Sequence, residues 1–171
     1  FRFCCLASFW PLKGYDVLIP AFRQLLASGV NAELHIAGRD TDSEACCSML
    51  SDGIFSHGLL DKKAVRALLY QSDALVLASR SEVQPLVLLE AMSTGIPVIA
   101  TDCIPQSLRI EGGCTIVPVD DVEAMAGAMK SVSQKSSFDG KILSEKVNQM
   151  ASPEVIGQKL SALFTDILVS A

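Results

Sequence analysis

The sequence predicts an α/β fold, an open and mostly parallel sheet with helices on both faces. Two observations carry that expectation. Strand-like and helix-like stretches alternate about six times along the chain. The strand-like runs are short and continuously apolar, as in strands covered on both faces. No stretch repeats at a period of roughly 20–50 residues, which excludes a solenoid. Open sheets of this kind bind ligands beyond the carboxyl ends of their strands. A site is therefore expected among the loops after Ser8, Ala37, Ser56, Ala78 and Thr101.

Taken in order, Arg2–Ser8 reads as a buried strand. Tyr15–Ala27 carries Val17, Leu18, Ala21 and Leu25 at helical spacing, with Gly29 as a stop. Ala32–Ala37 is a strand feeding a loop at Gly38, Asp42–Leu50 a short helix, and Ile54–Ser56 a short strand before Gly58. Asp61 has the place of an N-cap for a helix over Lys62–Gln71, with Val65, Leu68 and Leu69 inward. Ala74–Ala78 is a strand. Pro85 suits the first position of a helix that runs to about Thr94 and stops at Gly95. Pro97–Thr101 and Cys114–Val117 are strands. Asp120 or Asp121 caps a helix through Met129, and the polar stretch Ser131–Lys146 is ambiguous. Ser152-Pro153 opens a closing helix, about residues 152–170, with Ile156, Leu160, Leu163, Phe164 and Ile167 on one side.

The 171 residues suit one domain. Half of them are hydrophobic and 19% are charged, which excludes a disordered chain. Only seven prolines and eleven glycines occur, too few for a linker-dominated or collagen-like chain. A net charge of −5 argues against a nucleic-acid duplex or an anionic membrane as main partner. It leaves room for a local basic pocket. No apolar run approaches the ~18–20 residues of a membrane span. The chain opens at Phe1, already inside an apolar run, and reads as a piece of a longer protein. Cys4, Cys5, Cys46, Cys47, Cys103 and Cys114 form no C-x-x-C. They read as small, buried, reduced thiols of a cytoplasmic protein rather than a metal site or a disulfide frame.

The most informative stretch runs from Glu82 to Met92. Glu90 interrupts a helix that is otherwise apolar nearly all round, so a buried carboxylate in need of hydrogen-bond donors is expected there. A sugar diol supplies two. Glu82 lies in the loop after Ala74–Ala78. Between the two acids, Pro85–Val87 form a helix start, whose free N–H groups and positive dipole end suit a phosphate. The plainer reading makes Glu82 a solvated loop residue and has Glu90 bond a neighbouring loop. Lys13-Gly14 follows the first strand; a lysine there reaches a phosphate at the same sheet edge, though alone it is an ordinary first-turn lysine. His35 and His57 suit core or rim roles better than catalysis, and Trp10 suits packing better than a ligand contact. Asp40-Thr-Asp42 has the D-x-D form that holds Mn²⁺ or Mg²⁺ beside nucleotide sugars, but so short a match is common by chance. Phosphate-loop, dinucleotide-fingerprint and nucleophile-elbow motifs are all missing.

Lys13-Gly14, Leu34-His-Ile-Ala-Gly38, Phe55-Ser-His-Gly58, Ser72-Asp73 and above all Glu82 to Ala100, with seven residues between Glu82 and Glu90, together resemble the C-terminal half of family-four, or group 1, glycosyltransferases. The order and spacing match over nearly the whole chain. The resemblance implies the GT-B fold, two Rossmann-like domains with the active site between them, of which 1–171 would be the donor-binding one. It implies that Lys13 and Gly14 meet the donor diphosphate and that Glu82, at the catalytic position, holds hydroxyls of the transferred sugar. Glu90 would accept from the ribose diol, the N–H groups of Leu86 and Val87 would take phosphate oxygens, and Gly38, Gly58 and Leu59 would border the nucleotide. It further implies retention of anomeric configuration and no metal or other cofactor. The partners would be a nucleotide diphosphate sugar and the chain's own N-terminal acceptor domain, with peripheral membrane association of the full-length enzyme. Three places depart from the family. Ser8 stands where members often carry an arginine, which makes Arg39 and Arg80 the candidates for a replacement cation. Pro85 stands where a glycine is frequent, and Cys103–Glu111 lacks the usual Gly-rich loop. A nucleotide-binding module that has lost catalysis, favoured by Ser8, and an epimerase-like relative are the alternatives.

Overall fold

The computed structural model describes residues 1–135 and 138–169, with the side chains of 163–169 left aside. The expected positions of Leu163, Phe164 and Ile167 thus lie outside the described side chains. Six strands form one sheet: β1 (Arg2–Leu6), β2 (Glu33–Ala37), β3 (Ile54–Ser56), β4 (Ala74–Leu77), β5 (Val98–Thr101) and β6 (Cys114–Val117). Their order is β3-β2-β1-β4-β5-β6, and every pairing is parallel. The order reverses between β1 and β4, so a crevice opens beyond their carboxyl ends.

The helices are α1 (Tyr15–Ala27), α2 (Glu44–Cys47), α3 (Lys62–Tyr70), α4 (Leu86–Ser93), α5 (Val122–Ser133), α6 (Gly140–Ala151) and α7 (Pro153–Val169). One core lies between the sheet and α1 and α5, built on Phe3, Leu18, Phe22, Val76, Ile99 and Met129. A second lies on the other face, where Leu75, Leu77, Val98, Leu88, Met92 and Leu143 bring α4 and α6 onto the sheet. Cys4 and Cys5 point into opposite cores, as strand neighbours must. Burial pushes these thiols up to about 11 and about 12, so they stay protonated and inert. Cys47, exposed at the end of α2, departs from the expectation of burial, and Cys103 and Cys114 are only half-buried. Among the described residues no helix is long and apolar enough to cross a membrane.

The boundaries that differ have local causes. The strand at Arg2 stops at Leu6, although Ala7 N–H still reaches the Ala37 carbonyl at 2.9 Å and Phe9 N–H that of Arg39 at 2.8 Å. The helix expected over Asp42–Leu50 shrinks to four residues. Ser43 is its cap, because residues 38–43 are taken up by turns that bond Thr41 N–H to Gly38 and Ser43 N–H to Asp40. Pro85 is the cap of α4 rather than its first residue. Asp121, not Asp120, caps α5, its carboxylate accepting from Ala124 N–H at 2.8 Å. The ambiguous stretch divides into the end of α5 and most of α6, which Asp139 caps.

Helix α4 sits on the second core by one side only. Leu88 is fully buried, whereas Leu86 is 60% exposed. Leu88→Ala should cost about 2–5 kcal/mol, and Leu86→Ala about 0.5 kcal/mol or less. Urea unfolding of the two variants checks this; equal losses would contradict the one-sided packing.

Candidate functional site

The loops after β1 and β4 meet over the crevice. Gly14 (φ 66°) is the hinge of the first, in a left-handed conformation that suits glycine. A Cβ there would run into the backbone carbonyl of Ala78 at the end of β4. The contact is reinforced by Arg80 N–H, which donates to the Leu12 carbonyl at 2.8 Å. Tyr15, at the start of α1, donates from its hydroxyl to the Ala7 carbonyl at 2.6 Å and steadies the other end of the loop.

This convergence brings Lys13 to Glu82. Lys13 Nζ donates to Glu82 Oε1 at 2.7 Å, and the Ser79 hydroxyl donates to the same oxygen at 2.6 Å. The Glu82 side chain is only 11% exposed. The expectation of a solvated loop acid therefore fails, and the two residues singled out in separate loops form one partly buried pair.

At the same edge of the sheet a cleft of about 260 Å³ is lined by Ser8, Gly38, Arg39, Leu59, Val87 and Glu90, together with Leu6, Leu60 and Val65. Those six were candidates from four separate stretches of sequence. Gly38 lets the loop after β2 pass close to Ala7, since a Cβ there would strike the Ala7 carbonyl. Gly38 N–H donates to the Gly58 carbonyl at 2.8 Å, which carries the turn after β3 to the same edge. Leu88 N–H bonds back to Pro85, so the helix start leaves the N–H groups of Leu86 and Val87 as its free donors.

Several expectations need correction. Glu90 is exposed, not buried, because the second core covers only the other side of α4; it stands where the cleft joins a larger groove of about 530 Å³ between α3 and α4. Arg80 is committed elsewhere. Its guanidinium donates to both carboxylate oxygens of Asp16, at 2.9 and 2.7 Å, and to Asp120 at 2.7 Å, which ties the loop after β4 to the first turn of α1 and to the loop after β6. Arg39 is exposed and lines the cleft beside Ser8, so of the two cations it is the one that faces the crevice. Trp10 is 62% exposed instead of packed. Asp40-Thr-Asp42 lies in a turn where Thr41 is buried and its hydroxyl bonds the Gly38 carbonyl at 3.0 Å. The two histidines take the rim role expected, with His35 Nδ1 and His57 Nε2 2.8 Å apart in stacked rings. Arg109, in the atypical stretch after β5, folds back onto the carbonyls of Asp102 and Ile104. Ser79 and Asp16 were missed by sequence reasoning. A serine three residues before a loop glutamate is the only signal either offered.

Residues 1–135 match the family model described as glycosyl transferases group 1. WcaC of Escherichia coli, named as a colanic acid biosynthesis glycosyl transferase, is 38% identical over 97 residues, 55% of this chain and 22% of its own. WcaL of Salmonella typhimurium, named likewise, is 30% identical over 172 residues, 91% of this chain and 42% of its own. The chain thus spans less than half the length of these relatives. Among solved structures, Anabaena HepE in complex with UDP and glucose superposes with a TM-score of 0.81 at 17% identity, over 97% of this chain and 48% of that one. S. aureus TarM in complex with UDP gives 0.84 at 22% identity, over 95% and 35%. At those identities the likeness is one of fold.

The Arg80 clamp has a pH signature. Hydrogen bonds from Arg80 hold the Asp16 carboxyl below its ordinary range. A carboxyl so depressed adds stability that is complete above its unfolded pKa of about 3.9 and is lost as pH falls through the lower folded value. Arg80→Met should therefore be less stable than the parent near neutrality, and the gap should close below about pH 3.9. Denaturation of both proteins across that range tests it; a gap that does not change with pH would contradict the clamp.

Proposed function

This chain belongs to the group 1 glycosyltransferases, and we propose that within that family it is the half that binds the nucleotide diphosphate sugar donor. The observation that carries the reading is the cleft lined by Ser8, Gly38, Arg39, Leu59, Val87 and Glu90 at the sheet edge that also holds the Lys13–Glu82 pair. A ligand that is apolar and flat at one end, a diol in the middle and anionic beyond matches that order of groups. The base lies against Leu59 and the turns at Gly38 and Gly58. The ribose hydroxyls donate to the exposed Glu90. The diphosphate meets the N–H groups of Leu86 and Val87, Lys13 and, in place of the cation missing at Ser8, Arg39. The transferred sugar donates hydroxyl hydrogens to Glu82.

The chemistry follows from charge. Breaking the bond between sugar and diphosphate leaves negative charge on the departing phosphate. The positive end of α4 and the Lys13 ammonium stand ready to stabilise it without reorganisation. Transfer proceeds with retention of configuration, needs no metal, and requires an acceptor-binding domain that completes the cleft. HepE and TarM are each described in complex with UDP, which supports a uridine nucleotide as the first candidate. WcaC and WcaL, named for colanic acid biosynthesis, support a role in polysaccharide biosynthesis. A cytoplasmic location, with the full-length enzyme at the membrane surface where such acceptors are made, fits that role.

Calorimetric titration of the chain with UDP, GDP and ADP tests the reading. One nucleotide should bind selectively, and Glu90→Ala should weaken it about tenfold, the worth of a charged hydrogen bond. Nucleotide binding without sugar transfer to common acceptors is expected of this chain alone. A folded chain that binds no nucleotide would sink the proposal.

The cation assignment has its own test. Arg39→Ala should weaken nucleoside diphosphate binding roughly tenfold, and Ser8→Arg in that background should restore most of it. Binding that Arg39→Ala leaves intact would remove Arg39 from the site.

A further inference from the structure

Ser79 stands at the carboxyl end of β4 and is 1% exposed. Its single O–H is spent on Glu82 Oε1 at 2.6 Å. Its carbonyl is gripped from the neighbouring strand: Thr101 Oγ1 donates to it at 2.5 Å and Cys103 Sγ at 3.2 Å. Thr101 is itself fully buried at the end of β5. Ser79 is thus fixed on both sides, by a bond it gives and by two it receives. The other donor to Glu82 Oε1 is different in kind. Lys13 carries a long flexible side chain, 29% exposed, and its ammonium is drawn to any phosphate that arrives at the start of α4.

We infer that Ser79 is a positioning residue: it holds Glu82 by Oε1 so that the carboxylate stays aimed into the donor site once Lys13 has left it for the diphosphate. The inference rests on the donor-site reading above. In the free protein Glu82 has two donors on one oxygen. Arrival of the diphosphate exchanges the Lys13–Glu82 bond for a Lys13–phosphate bond. Glu82 then has a net charge to place, three rotatable side-chain bonds and one remaining anchor. With Oε1 still bound to Ser79, Oε2 is left to accept from the sugar hydroxyls, and little rotamer freedom remains to be lost on binding. Without Ser79 the carboxylate swings free at the moment the sugar needs it.

The contribution of Ser79 therefore appears in the preference for a sugar nucleotide over the bare nucleotide, not in nucleotide affinity itself. Calorimetry with UDP and UDP-glucose, GDP and GDP-mannose, and ADP and ADP-glucose measures that preference for the parent, Ser79→Ala, Glu82→Ala and the double variant. Ser79→Ala should lower the preference about tenfold and leave nucleotide binding within about twofold. In the Glu82→Ala background the same change should do nothing further, which a general structural role would not produce. Ser79→Cys, close in size and a weak donor, should move the preference in the same direction if the alanine variant does not fold. Equal weakening of nucleotide and sugar nucleotide, an unchanged preference, or an undiminished effect of Ser79→Ala in the absence of Glu82 would each overturn the inference while leaving the donor site standing. A parent chain that binds no nucleotide would overturn the donor-site reading, and this inference with it.

Discussion

At the centre of the sheet the turn at Gly14 lies against the carbonyl of Ala78, with no space for a side chain between them. That approach is what a parallel sheet with reversed strand order produces at its switch point, where neighbouring strands send their loops to opposite sides. Here the two loops do not diverge cleanly. They are drawn together by the Arg80 N–H bond to Leu12 and by the Arg80 guanidinium bonds to Asp16. Lys13 and Glu82 are neighbours because of it. A larger residue at position 14 would separate the loops, and with them Lys13 and Glu82.

The cations at this edge divide their work by what surrounds them. Arg80 is flanked by two carboxylates, one in the first turn of α1 and one in the loop after β6, and is consumed in holding them. Arg109 is consumed by backbone carbonyls. Lys13 is paired with Glu82 through one oxygen, at 2.7 Å. Arg39 faces the cleft at its exposed rim. Arginine suits the first two tasks because its planar fork makes several bonds at once, and lysine suits exchange because its charge is compact and its stem flexible.

Helix α4 joins the core to the site. Its inward residues Leu88, Ala91 and Met92 are fully buried against the sheet, which fixes where its first turn points. The outward side carries Leu86 and Glu90 to the solvent edge of the cleft. Packing thus aims a helix start at the crevice, and the amides of Leu86 and Val87 gain their direction from residues buried in the core.

Much of this was legible in the chain itself. Short apolar runs between amphipathic stretches determined an open α/β sheet, and caps such as Asp61 and Asp121 marked helix starts, because both signals depend on neighbours in sequence. The pattern from Glu82 to Ala100 pointed to the family and holds two of the cleft's lining residues, Val87 and Glu90. What the sequence could not carry were partners brought together across the fold. Glu90 looked buried because its helix is apolar on nearly every side, but only the tertiary packing decides which side meets a core. Arg80 looked like a spare cation until Asp16 and Asp120, 64 and 40 residues away, closed on it. Nothing near Ser79 in the sequence shows that Thr101 fixes its carbonyl from the next strand. Local composition sets the secondary structure; long-range contact decides which charge is free, which is spent and which is held.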